Sequence, residues 1–196
     1  AALRAVPSEG QTETAEELDL LIRLSPGRTI PPFIQNLTGI TDSMLQAEGV
    51  SKRDAAAAFS ALLVHPNTLL VAYNAQFDLC FLYYFLARQK QANILQGVKL
   101  LDAMTVYKDR HDYPHKLCNA IETYGLQGQN THRAIDDVKA TLELLDAMAT
   151  EEDDLAQYVN LFGYHPKYGV SGPRISSVTY RPQGYERHQK LYQSLP

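Results

Sequence analysis

Apolar residues change their spacing several times along this chain, and each change marks an element. Ala1-Ala2-Leu3-Arg4-Ala5-Val6 reads as the end of a strand, and Pro7-Ser8-Glu9-Gly10 as a turn. Leu18, Leu20, Ile22 and Leu24 fall on every second position, which predicts a second strand paired with the first across a loose loop. Pro26-Gly27 stops it. Pro31-Pro32 then introduces a short helical turn carrying Phe33, Ile34 and Leu37. Gly39 permits a tight bend, and Thr41 can cap the turn that follows. Ser51 with Asp54 resembles a capping box, and residues 55–64 continue as a helix with Phe59, Leu62 and Leu63 inward.

Thr68-Leu69-Leu70-Val71-Ala72-Tyr73 is apolar without alternation, as suits a strand buried on both faces of a parallel or mixed sheet. Asn74-Ala75-Gln76 turns into a helix over residues 77–90. Val98-Lys99-Leu100-Leu101 is a further strand, ending at Asp102. Helices over 103–110 and 116–124 follow, the second closed by Gly125. Asn130-Thr131-His132-Arg133-Ala134-Ile135-Asp136-Asp137 then opens a long apolar-patterned helix that runs to about residue 150. Strands alternating with helices after an early hairpin predict an α/β fold around a mixed sheet. After Glu151-Glu152-Asp153-Asp154 the texture changes. Residues 1–150 read as one domain and 151–196 as an extension whose part from 160 onward is basic, rich in Tyr, Gly and Pro, and irregular.

Composition narrows the class. A chain of 196 residues, 45% hydrophobic and 20% charged, has the make-up of a soluble globular protein with a real core. No apolar run reaches membrane-spanning length, and no secretory signal opens the sequence, so no membrane contact is expected. Cys80 and Cys118 fall in apolar helical patterns. They are expected to be buried thiols in a reducing, cytoplasmic setting, with no zinc-site spacing. The net charge of −4 is uneven: residues 1–159 hold 13 Lys/Arg and 21 Asp/Glu, residues 160–196 five Lys/Arg and one Glu. An acidic body does not attract nucleic acid by its overall field, but a metal site and a local basic strip do.

Two carboxylates stand out by position. On the long helix, Asp137 shares a face with Ala134, Ala140, Thr141 and Leu144, whereas Asp136 shares one with Lys139 and Glu143. Asp137 is therefore expected toward the core and Asp136 toward solvent. Asp78 repeats the pattern, in the first turn of its helix and on a stripe with Phe81, Leu82 and Phe85. A buried carboxylate requires a cation, a donor or a proton. Helix-start aspartates satisfied by backbone donors meet that need as well, and a lone His132 is usually a solvent-exposed ring. Together, inward carboxylates and a histidine at element ends suit metal-assisted hydrolysis of a phosphodiester. Hard oxygen ligands suit Mg²⁺ or Mn²⁺, though two aspartates are too few for a pair of ions.

Leu37-Thr38-Gly39-Ile40-Thr41-Asp42, then Asn74-Ala75-Gln76-Phe77-Asp78, then His132-Arg133-Ala134-Ile135-Asp136-Asp137 resemble successive motifs of the DnaQ-like 3′–5′ exonucleases of the DEDDh group, which includes the epsilon subunit of bacterial DNA polymerase III. The resemblance covers residues 1 to about 150 and implies a ribonuclease-H-like fold with a mixed five-stranded sheet flanked by helices. It implies two divalent cations, Mg²⁺ or Mn²⁺, with Asp78 and Asp137 as metal ligands and His132 as general base. Gly39, Asn74 and Phe77 would lie near the terminal nucleotide. A tyrosine-type site is disfavoured, since no Tyr takes that role near Asp137. Two departures stand out. Tyr73 stands where many relatives carry histidine. The Asp-x-Glu strand that opens the family's domain is not visible before Asp78, where Glu9, Glu13, Glu16 and Glu17 occupy a polar loop or its edge. One strand and its turn are expected upstream of Ala1, and a chain lacking them is expected to be poorly stable and inactive.

The function expected is removal of nucleotides from the 3′ end of single-stranded DNA, in proofreading or repair, with a DNA polymerase catalytic subunit as a candidate partner. An RNA 3′–5′ exonuclease, a non-catalytic module that binds nucleic acid or a polymerase, and a purely structural role for the two aspartates stay open. In the extension, Lys167, Arg174, Arg181, Arg187 and Lys190 interleave with Tyr164, Tyr168, Tyr180, Tyr185 and Tyr192. Such a pattern either stacks on single-stranded nucleic acid or wraps the acidic body and buries its rings, and the second reading is the favoured one.

Overall fold

The first two strands are set by a two-residue turn. Glu9 and Gly10 take φ of 39° and 89°, the sign that matches a hairpin turn to strand twist. In this computed structural model, which describes residues 1–128, 133–185 and 189–194, β1 (Ala2–Ser8) and β2 (Gln11–Leu18) form an antiparallel hairpin from Ser8↔Gln11 to Ala2↔Leu18. This corrects the expected loose loop and second strand. The polar stretch before Leu18 forms the ladder, because the tight turn starts pairing at Gln11 and β1 is exhausted at Leu18. The alternating residues beyond it make one isolated parallel bridge, Ile22 to Val50.

Three helices follow: α1 (Pro32–Thr38), α2 (Asp42–Ala47) and α3 (Lys52–Leu63). Both expected caps form. Thr41 Oγ1 accepts from the Met44 amide, and Ser51 Oγ accepts from the Asp54 amide at 3.1 Å while donating to its carboxylate at 2.7 Å. Leu62 and Leu63 are buried, but Phe33 on α1 is 71% exposed.

The centre is a parallel pair. β3 (Leu69–Ala72) and β4 (Lys99–Asp102) lie side by side with Ala72 opposite Asp102, and α4 (Ala75–Arg88) crosses between them. Both strands thus end together, where open α/β sheets place ligands. β3 is half-buried rather than covered on both faces. α5 (Ala103–Arg110), α6 (Leu117–Thr123) and α7 (Ala134–Glu151) complete the main body. The described strands form three two-stranded pairs, not one continuous sheet of five.

The extension is not irregular. Asn160 exchanges hydrogen bonds with Leu100 of β4, its amide donating at 2.7 Å and its side-chain oxygen accepting at 2.9 Å. That contact lays β5 (Leu161–Tyr164) beside β4, and β6 (Thr179–Pro182) pairs with β5 in parallel. Gly163 allows the approach: a Cβ there would stand 2.0 Å from the Gln183 side-chain oxygen. Tyr158, Leu161 and Leu191 join Leu101, Val106, Leu144 and Met148 in the larger core, and Phe162 joins Leu79 and Leu100 in the smaller one. Sequence periodicity missed β5 and β6 because each is four residues long and Pro and Gly surround them. Cys118 is exposed and Cys80 half-buried, which corrects the expectation of two buried thiols. Among the described residues, no helix is long and apolar enough to cross a membrane.

Arg110 locks the end of α7 and the chain after it to α5. Its side chain, 2% exposed, donates to the Met148 carbonyl (2.6 Å), Glu151 (2.9 Å) and Asp154 (2.5 Å). Burial pushes the Glu151 and Asp154 carboxyls up, but hydrogen bonds from Tyr124 and Arg110 to the first and from Arg110 to the second pull both below the ordinary range. A depressed carboxylate contributes stability above its unfolded pKa, near 4, and loses it as pH falls through the folded value. Replacing Arg110 with Ala should cost about 3 kcal/mol at pH 7, because the buried Asp154 loses its nearest cation and keeps only Lys190 at 3.5 Å. Urea unfolding should also show a weaker acid dependence below about pH 4. An unchanged urea midpoint would contradict this role.

Candidate active site

Asp102 organises the ends of the central strands. It closes β4, is 3% exposed, and its Oδ1 accepts from the amides of Asn74 (2.9 Å), Ala75 (3.0 Å) and Met104 (3.2 Å). Its Oδ2 accepts from Thr105 Oγ1 at 2.7 Å. Burial pushes its pKa up, and these hydrogen bonds oppose that rise. One carboxylate thus caps α5 and holds the turn into α4. Asn74 sits in that turn with φ of 66°, a left-handed conformation that asparagine tolerates better than most residues. Asp102 was noted in the sequence only as a strand end. The available signal was an Asp at the mouth of a helix with Thr three positions on.

The first turn of α4 carries Phe77 and Asp78. The helix buries Ala75, Leu79 and Leu86, so its inward face differs from the expected one. Phe77 is 56% and Phe81 65% exposed, with their rings 4.8 Å apart. Asp78 is also solvent-accessible, which corrects the expectation that it points to the core. The reason is geometric: Ala75, Leu79, Leu82 and Leu86 share the stripe that meets the strands, and Asp78 lies one residue off it. Protein nevertheless crowds its carboxyl. Desolvation pushes its pKa up to about 6, and the negative charges of Asp102 and Asp137 push the same way.

Asp137 lies on the buried face of α7, in line with Thr141, Leu144 and Met148, as its spacing predicted. Thr141 Oγ1 donates to the Asp137 carbonyl at 2.7 Å. Asp136 is half-buried rather than on the open surface. Arg133 starts the helix, its carbonyl accepting from the amides of Asp136 and Asp137. It also lines a cleft of about 180 Å³ with Asp19, Leu21, Met44 and Glu48. Asp19 and Glu48 did not stand out in the sequence, because neither sits in a motif. His132, with Asn130 and Thr131 before it, lies outside the described residues.

The structure therefore brings Asn74, Asp78, Asp102 and Asp137 into one neighbourhood from β4, α4 and α7. Gly39 enters as the left-handed residue (φ 69°) that ends α1 and bends the chain toward Thr41. Among the described residues, no three His, Cys, Asp or Glu side chains form a group placed to hold a metal ion. The donors nonetheless fit a hard divalent cation. Asp78 and Asp137 offer carboxylate oxygens within electrostatic reach of each other, and the crowding of like charge favours a cation between them.

Comparison with known proteins identifies the family and the fold. Residues 1–145 match the family model described as Exonuclease (RNase_T), and the chain belongs to that family. The 3′-5′ exonuclease DinG of Staphylococcus aureus (strain USA300) is 31% identical over 119 residues, 59% of this chain and 13% of DinG. The same figures hold for DinG of strain NCTC 8325. E. coli Exonuclease I in complex with a dA16 oligonucleotide shares the fold with a TM-score of 0.65 at 20% identity, over 74% of this chain and 36% of the other. A product-bound exonuclease I structure gives 0.65 at 18% identity, over 78% and 39%. The chain spans only a small part of its curated relatives and about a third of these structures.

An acid whose folded pKa is raised destabilises the fold once pH climbs past its unfolded value, and the effect is complete above the folded one. For Asp78 that window runs from 3.8 to about 6. With divalent ions chelated at pH 7.5, Asp78→Asn should therefore unfold at a higher urea concentration than the parent protein, the difference vanishing near pH 4. An equal or lower midpoint at pH 7.5 would show that the carboxyl is not crowded.

Proposed function

We propose that this chain is the catalytic domain of a DnaQ-like, DEDDh-type 3′–5′ exonuclease that removes nucleotides from DNA 3′ ends. The observation that carries this reading is that α4 and α7 bring the carboxylates of Asp78 and Asp137 within electrostatic reach of each other, near the shared end of β3 and β4. Membership in the Exonuclease family and the motif order of the sequence support it. In this reading the three described strand pairs belong to a ribonuclease-H-like sheet.

Asp78 and Asp137 are the residues that would hold the divalent cations, Mg²⁺ or Mn²⁺. Such ions, when bound, supply the charge that activates water and stabilises the leaving oxygen. His132 takes a proton from the attacking water at an imidazole nitrogen. Phe77, exposed beside Asp78, offers a face for the terminal base, and Asn74 and Gly39 position the nucleotide around it. Asp102 keeps the α4 turn in place and so orients both Asn74 and Asp78. The biological setting we propose is cytoplasmic proofreading or repair, with a polymerase subunit as the class of partner. One observation favours a second reading, a non-catalytic module that binds DNA: no three metal-ligating side chains group together among the described residues.

In the full-length protein, Asp78→Ala and Asp137→Ala should each abolish Mn²⁺-dependent trimming of a single-stranded DNA 3′ end. His132→Ala should lower the rate by about 10²–10⁴-fold, the span general-base groups supply. Trimming at the parent rate by either aspartate variant would end the assignment. Binding without trimming by the parent protein would favour the non-catalytic module, and faster trimming of RNA would move the substrate to RNA.

A further inference from the structure

Three exposed tyrosines stand in one continuous chain of ring contacts. Tyr113, in the loop after α5, meets Tyr185 of the extension edge-on at 5.2 Å. Tyr185 lies 4.8 Å from His165 and nearly parallel to His115 at 5.9 Å, and His165 meets Tyr168 at 5.0 Å. Tyr113, Tyr168 and Tyr185 keep 67%, 73% and 52% of their surface in water. Three other tyrosines of the extension behave differently. Tyr158 is buried with its hydroxyl on Asp109, Tyr192 bonds Asp154, and Tyr180 bonds Gln76. Core packing accounts for that second group and not for the first.

One cation borders an exposed ring, and a second stands over half-buried rings of the same segment. The Lys167 ammonium stands 5.3 Å over Tyr168, and the Arg174 guanidinium lies over Tyr180 at 5.3 Å and Tyr164 at 5.9 Å. Both belong to the segment with five Lys/Arg and one Glu, on a body that is otherwise acidic. Asp112 and Glu122 line the hollow beside Tyr113, so the phosphates are favoured on the Lys167 side of the cluster and only a base is expected to reach the Tyr113 ring. The ring cluster is also tied to the strand that leads into the candidate site. Tyr73 Oη donates to the His115 carbonyl at 3.0 Å, and the next residue is Asn74.

We propose that Tyr113, His165, Tyr168 and Tyr185, with Lys167, form a binding surface for single-stranded DNA distinct from the carboxylate site. Unpaired bases stack on the open ring faces, and phosphates lie against the Lys167 ammonium. The choice of DNA over other polyanions rests on the proposed function above, and the surface gives that function a hold on the strand apart from its 3′ end.

The test is fluorescence anisotropy with a 5′-labelled oligo-deoxythymidylate of about 20 nucleotides, longer than a single-strand site of this kind. Chelator is present throughout, so divalent ions contribute nothing. Tyr168→Ala and Tyr113→Ala should each weaken binding at least about fivefold, the low end of what one base–ring stack supplies, while Tyr168→Phe stays close to the parent. Lys167→Gln should flatten the salt dependence by roughly one phosphate contact. Tyr168 touches only His165 and Lys167 among the ring and cation contacts described, so its loss leaves the core untouched; an unchanged circular dichroism melt confirms that. Parent-like affinity in both alanine variants overturns the surface. Affinity that falls only for an oligo-uridylate of equal length overturns DNA as its occupant. Neither outcome depends on cleavage, and a failure to trim 3′ ends would leave the anisotropy result standing.

Discussion

A buried carboxylate has to be satisfied where it stands, and in this protein Asp102 is satisfied by four donors from two elements. The Asn74 and Ala75 amides come from the turn into α4, the Met104 amide from the start of α5, and the Thr105 hydroxyl from the next position on that helix. Each donor fixes an element relative to the end of β4. The consequence reaches the site, because α4 carries Asp78 in its first turn and has no other side-chain cap. It also reaches the extension. Thr105 Oγ1 accepts from the Gly163 amide of β5 at 3.0 Å, and the Thr105 carbonyl accepts from Gln183 at 2.9 Å. A continuous line of hydrogen bonds thus joins β5, α5, β4 and the candidate ligand helix.

The extension is held by the same logic. Asp109 accepts from Gln183 (2.7 Å), the Tyr158 hydroxyl (3.0 Å) and the Leu191 amide (2.6 Å), while Asp154 accepts from Arg110 and Tyr192. Two carboxylates therefore gather groups from points far apart in the sequence. The apolar side follows, with Leu161 and Leu191 entering the core built by α5, α6 and α7. The residues after α7 complete that core, and the basic, tyrosine-bearing surface is carried on a braced piece of chain.

Much of this was legible in the residues. The helices were marked by caps with local chemistry, such as Thr41 and Ser51, and by periodicity long enough to be unambiguous, as in α7. Asp137 was placed by that periodicity. Asp78 differs from its expected place because its helix is apolar on nearly every face, and spacing does not say which stripe meets the strands. The second strand was misplaced because a turn with two positive φ values set the register, and that overrode the alternating leucines. Asp102 was overlooked because its partners are backbone amides brought near by the pairing of β3 with β4, which no local pattern reports. β5 was missed because it is held by Asn160 and Leu100, and neither is exceptional in sequence.

We propose that Asp78 and Asp137 belong to a site that hydrolyses DNA from the 3′ end. The most direct measurement follows a single-stranded oligonucleotide labelled at one end or the other, incubated with the full-length protein and Mn²⁺. A 3′–5′ exonuclease gives a ladder of steadily shortened products from the 5′-labelled strand and releases labelled mononucleotide from the 3′-labelled one. Shortening from the 5′ end, internal cuts, or an intact strand bound to the protein would contradict the proposal.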